Sequence, residues 1–220
     1  MSAGWGRLAG VTTRVVLEVG SSRTFAAALD WPGWCRSGRD EHAALAALAD
    51  YLPRYAPVIA RAGLTVPSDT FTVEERLSGT MTTNFGAPDG VAAADREPPA
   101  AKEAARIASL VGAAWAEFDS IVAVTPQELR KGPRGGGRDR DKMVDHVLGA
   151  EASYARNVGV RHKVPALDDA DAIESLRAAI LAALRAATPD TKWPTRYAAR
   201  RIAWHVLDHA WEMQDRATPA

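Results

Sequence analysis

Near its C-terminal end the chain reads RIAWHVLDHAWEMQDR, residues 201–216, which sets His205 and His209 one helical turn apart. Residues four apart on a helix share a face, so both imidazoles can reach one ion without distorting the backbone. Ile202, Val206 and Met213 fall beside them on the helical wheel, placing the pair on the shoulder of a buried stripe. His146 stands inside a second apolar stripe with Met143, Val147, Ala150 and Tyr154. Three imidazoles can hold a divalent cation and leave coordination positions open, as catalytic sites do and closed structural sites do not. The competing reading is three hydrogen-bonded core histidines. His42 and His162 lie outside the pattern. Imidazole suits zinc, nickel, iron and manganese alike, so the residues do not distinguish among them.

Charged neighbours offer further chemistry. Glu212 shares the wheel sector of His205 and His209, where it can act as a base or hold a ligand imidazole by its second nitrogen. Asp145, Glu151 and Asp208 are weaker candidates for the same roles, and a solvated helix face is the alternative for all four. Arg201 and Arg216 flank the sector and could clamp an anionic substrate. Before the helix of His146 runs RKGPRGGGRDRDK, residues 130–142, with Arg130, Lys131, Arg134, Arg138, Arg140 and Lys142. Exposed amides at a helix start can bind a carboxylate or phosphate, but the G-K-[ST] ending of a Walker loop is absent, leaving a solvated loop as the plainer reading. Cys35, beside Arg36 and Arg39, is either a thiol of lowered pKa or a small packed side chain in a turn.

The elements that must position these groups divide the chain in two. RVVLEV and RTFAAALDW are short β-type runs joined by the turn residues GSS, and a tight turn PGWCRSG follows. A helix capped by Asp40 runs to Gly63, with Pro53 and Pro57 breaking its second half, and TFTVEERLSG supplies another strand. Strand, strand, helix, strand makes a small α+β unit over residues 12–85. Residues 86–100 are rich in Pro and Gly and read as a connecting loop. Four amphipathic helices are expected over 101–216: Ile107, Leu110, Val111, Ala114, Phe118 and Ile121 mark the first, and Met143 to Tyr154 the second. Ile173, Leu176, Ile180 and Leu184 mark the third, and the fourth follows Trp193-Pro194. Modest loops between them favour an antiparallel four-helix bundle. Trp31, Trp34 and Phe85 of the front half are expected to wall a cleft above the metal.

Composition bounds the rest. The 220 residues are 47% hydrophobic, ample for a packed core, and the 27 basic and 27 acidic residues cancel, which disfavours nucleic acid and anionic membrane as partners. A single cysteine excludes an internal disulfide, no apolar run reads as long enough for a membrane span, and the N-terminus lacks a signal-peptide pattern. These features predict a cytoplasmic protein; its oligomeric state is open, a dimer included.

Two resemblances sharpen the expectation. With MVDHVLGAE around His146 and WHVLDHAWE around His205 and His209, residues 100–216 resemble the DinB-like superfamily, four-helix bundles that bind a divalent metal through one histidine on the second helix and a His-x-x-x-His pair on the last. The resemblance implies a thiol-dependent S-transferase or isomerase acting on a small molecule, with a low-molecular-weight thiol such as mycothiol bound at the metal. A bound dication lowers a thiol's pKa and so provides thiolate at neutral pH. The front half, through Trp31, Pro32, Gly33, Trp34, Cys35, Gly38 and Asp40, looks like the HicB antitoxin type of domain, though without a DNA-binding segment. That likeness implies the alternative function, a protein-binding regulatory module on a metal-stabilised helical scaffold.

Overall fold

The computed structural model describes residues 12–131 and 136–217. The N-terminal signal-peptide reading and Arg134 of the glycine-rich loop fall outside those residues. The front half is a four-stranded mixed sheet with helices. Strands β1 (Thr13–Val19) and β2 (Thr24–Ala28) form the hairpin expected across GSS, pairing antiparallel from Val15 against Ala28 to Val19 against Thr24. Strand β3 (Cys35–Gly38) pairs antiparallel with β2, and β4 (Phe71–Ser78) runs parallel to β1, giving the order β3-β2-β1-β4.

Two expectations need correction here. The segment read as a tight turn contains the edge strand β3, which the sequence conceals because its four residues are too few to show alternation and include none of the β-branched type. The single broken helix is two helices, α1 (Glu41–Asp50) and α2 (Leu52–Arg61), meeting at Tyr51. Asp40 caps α1 by accepting from the Ala43 amide, as anticipated, and Pro53 sits in the first turn of α2, where a missing N–H costs nothing. The unit is therefore strand, strand, strand, helix, helix, strand.

The sheet is covered on both faces. Val15, Leu17, Ala26 and Ala28 turn toward α1 and α2 in the main core, while Val16, Phe25, Ala27 and Cys35 face a smaller cluster closed by Ala92 and Trp204. Alternation along β1 and β2 explains the division. The segment after β4 is ordered by more than turns. It forms a short helix α3 (Met81–Phe85), ended by Gly86 at φ 108, and a 3-10 turn at Ala93–Arg96. Two buried carboxylates anchor it: Glu18 accepts from the Thr83 hydroxyl and the Gly90 amide, and Asp95 pairs with Arg200.

Four long helices follow: α4 (Ala101–Val124), α5 (Arg140–Asn157), α6 (Ala170–Ala186) and α7 (Thr195–Ala217). On α4 the apolar residues expected at spacings of three and four are buried, on α6 Ile173 is only partly so, and on α5 the buried face runs through Val144, Leu148, Ala152 and Ala155 with Met143 and Val147, leaving Ala150 and Tyr154 half-buried at its edge. α4 packs on α6 and α7, and α5 on α7 and α6. Arg177 of α6, held by Asp119 of α4 and the buried Glu151 of α5, ties three of them together. α4 corrects one expectation, since it is long and apolar enough by length and composition to cross a membrane; half of that stretch is buried in the molecule, with Leu110, Val111 and Ala114 fully enclosed.

The main core runs without a break from β1 and Trp34 to α4 and α7. Gly33 makes one close approach possible: at φ 95, it lies so near α7 that a Cβ would stand 2.6 Å from Leu207 Cδ1. Ion pairs Arg61–Glu117 (3.0 Å) and Arg36–Asp208 (2.9 Å) tie α2 and β3 to α4 and α7.

Candidate metal centre

His146 comes from the middle of α5, His205 and His209 from successive turns of α7. Both helices are fixed by apolar residues flanking the histidines, Met143 and Val147 on one and Ile202, Val206 and Met213 on the other, all buried. The imidazoles consequently converge at the packed α5–α7 contact. One ring nitrogen from each lies within 4.8 Å of the others. His146 Nε2 and His205 Nε2 are 3.3 Å apart, and ring centroids are separated by 4.7–5.1 Å. Two nitrogens at about 2.0–2.1 Å from a tetrahedral ion stand about 3.4 Å apart, so this pair already has the spacing of metal ligands.

The surroundings disfavour the charged form of two of the imidazoles. Burial pushes the pKa of His205 well below its ordinary value, and that of His146 lower as well, with the neighbouring histidines adding to the effect. Neutral imidazole is the form that binds a cation. Tyr154 stands edge-on to the His205 ring at 5.6 Å and the tilted Trp204 ring lies 6.2 Å from it, and His205 is 8% exposed.

Of the four carboxylates singled out by sequence, only Glu212 reaches a histidine. His209 Nδ1 donates to Glu212 Oε2 at 3.2 Å, which leaves Nε2 free to face an ion. Glu212 Oε1 accepts from Arg216 Nη1 at 2.7 Å, and Arg216 Nε in turn donates to the Arg130 carbonyl. The hydrogen bond from His209, reinforced by Arg216, holds the Glu212 carboxyl below its usual range. An ionised, doubly bonded carboxylate orients its histidine well and makes a poor base, so the geometry favours the positioning role over catalysis.

The other candidates belong elsewhere. Glu151 is enclosed with Arg177, Asp208 is paired with Arg36, and Asp145 is exposed on the outer side of α5. A short list of neighbours along one helix could not reveal partners 26 and 172 residues away. The two arginines expected to clamp an anion are committed: Arg201 Nη1 donates to the Pro88 carbonyl and its guanidinium lies 4.8 Å over Trp204, while Arg216 holds Glu212. In the loop, Lys131 pairs with Asp139, Arg140 with Asp141, and Arg130 hydrogen-bonds the end of α7. His42 is exposed and His162 is bonded to the Lys163 carbonyl. Cys35 is 4% exposed, and burial pushes its thiol up to about 12, the opposite of an activated nucleophile.

Beside the histidines lies a cleft of about 290 Å³. Residues 204, 208, 211 and 215 form one stripe of α7 and 205, 209, 212 and 216 the next, so cleft and imidazoles occupy adjacent faces. Glu212 and Arg216 line the cleft and separate it from the imidazoles, with Phe25, Arg36 and Tyr51 on the side of the front half. The aromatic walls expected from sequence are different ones. Trp34 is fully buried, stacked on Tyr55 and donating to the Leu48 carbonyl; Trp31 lies under Arg106; Phe85 is 84% exposed. Only in the folded chain does the β2–β3 edge stand over α7, so local sequence carried no signal for Phe25, Arg36 or Tyr51. Compared with protein-family models, curated proteins and solved structures, the chain gives no match.

Proposed function

We propose that the chain is a metal-dependent enzyme of the DinB-like type, binding one divalent cation through His146, His205 and His209 and using it on a small-molecule thiol in an S-transfer or isomerisation. On this reading residues 101–216 are an antiparallel four-helix bundle, residues 12–85 a HicB-like α+β unit, and residues 86–100 their connection. The observation that carries the proposal is the convergence of three imidazoles from two helices, one pair of nitrogens 3.3 Å apart, with His205 buried and the pKa values of His205 and His146 lowered. A divalent ion bound there would supply the Lewis acidity that turns a neutral thiol into a thiolate at neutral pH.

The chain's own residues do the remaining work. Glu212 keeps the proton of His209 on Nδ1 and fixes the ring plane, Arg216 fixes Glu212, and Tyr154 and Trp204 limit water around His205. The cleft beside them has room for a small substrate. With its one cysteine buried, the protein itself offers no thiol to the reaction, so the thiol must come from solution. A reducing, cytoplasmic setting suits that requirement.

The test is a scan of small thiols paired with electrophiles against the metal-loaded full chain and its His205→Ala variant. Turnover that the variant lacks is expected. Absence of turnover with every pair, or equal turnover by the variant, counts against an enzyme and favours the alternative, a partner-binding module on a helical scaffold.

A further inference from the structure

Three arginines, Arg23, Arg36 and Arg216, and three carboxylates line the cleft. Each carboxylate already has an arginine: Asp208 with Arg36 at 2.9 Å, Glu212 with Arg216 at 2.7 Å, and Asp215 with Arg54 at 2.9 Å. Because Arg54 reaches Asp215 from outside the lining, one lining arginine is left over, Arg23, just before β2. It is exposed and pairs with no carboxylate among the described residues. Its one side-chain hydrogen bond runs from Nη1 to Ser37 Oγ at 3.4 Å, long for such a bond. A guanidinium carries five N–H donors in a planar fork, so most of Arg23's remain unused.

The guanidinium lies against the turn that ends α3. Gly86, which ends α3 at φ 108, lies beside it, and a Cβ there would stand 3.4 Å from Nη1. Phe25 and Trp204, edge-to-face with centroids 6.0 Å apart, reach the cleft only by their edges, being 3% and 5% exposed. An unpaired planar cation, aromatic edges in the lining and a volume of about 290 Å³ together describe a site for a small organic anion.

We propose that the cleft binds a small-molecule carboxylate, with Arg23 gripping the carboxylate and the edges of the Phe25 and Trp204 rings meeting its carbon body. The inference rests on the metal-enzyme reading only for its role as substrate recognition; the binding itself needs no metal. Arg23 is then the residue that sets specificity, and a neutral compound of the same shape is rejected because it offers no charge to the fork.

The experiment titrates the full chain, metal-free after chelation and zinc-loaded, with benzoate and with its neutral isostere benzamide, following binding by calorimetry. Benzoate is expected to bind both forms more tightly than benzamide. Arg23→Gln should weaken benzoate at least tenfold and leave benzamide unchanged, and Arg23→Lys, which keeps the charge without the fork, should fall between. Arg23 is exposed, so an unchanged melting temperature in both variants is expected and separates recognition from folding. Equal affinities for the two compounds, no benzoate binding by either form, or undiminished binding by Arg23→Gln would overturn the proposal. Zinc binding without benzoate binding would sink this site and spare the metal reading. Arg23-dependent benzoate binding in a chain that takes up no zinc would do the reverse.

Discussion

At the scale of single residues, Glu212 joins a histidine to an arginine, bonding both His209 and Arg216. Removing its charge should leave the fold intact, because it is only half-buried, and should loosen the orientation of His209. For Glu212→Gln we expect metal affinity to fall about 10–100-fold, as it does when a ligand histidine loses its carboxylate partner, measured by competition against a chelator. Unchanged affinity would mean that the contact orients nothing. A second expectation concerns pH. His146 and His205 have folded pKa values below the ordinary value near 6.5, so below about pH 6.5 the unfolded chain binds more protons than the folded one. Metal-free protein should therefore lose stability as pH falls through that range, and bound metal should leave as the imidazoles finally protonate. A melting temperature of metal-free protein that is flat between pH 7 and pH 5 would contradict this.

At the scale of elements, α7 is the member on which the rest depends: it carries two of the histidines, contacts β3 through Arg36, and pins the connecting segment through the buried Arg200–Asp95 pair. Asp95→Ala would leave Arg200 buried without its partner, and we expect a loss of about 3–5 kcal/mol, read from denaturant unfolding. A loss below 1 kcal/mol would show that the segment is not held by this pair. The elements also explain what could be read in advance. α4 to α7 were legible because each buries a regular stripe, such as Leu176, Ile180 and Leu184, and His146, His205 and His209 because their spacing places them on or beside such stripes. β3 and α3, with four and five residues, are too short to have a period. Partners such as Arg36 for Asp208 and Arg177 for Glu151 depend on tertiary packing that no local pattern encodes, which is why two candidate carboxylates were misplaced.

At the scale of the whole molecule, the uninterrupted core from β1 to α7 means that the sheet and the long helices support one another. Trp204, Leu207 and Trp211 of α7 are buried among residues from the front half, including Phe25, Gly33 and Tyr51. Heating the metal-free chain should accordingly give coincident transitions in far-ultraviolet circular dichroism, dominated by the helices, and in near-ultraviolet dichroism, which senses Trp34 in its packed site. Two separated transitions would show that the halves are held together only weakly.

The central claim is one divalent ion per chain on three imidazoles. Its direct test is elemental analysis of the purified full chain beside His205→Ala and His209→Ala, after each is equilibrated with equimolar zinc and desalted. About one zinc per wild-type chain, with most of it lost from both variants, is the result expected. Wild-type protein that emerges without metal, or variants that keep their full complement, would contradict it.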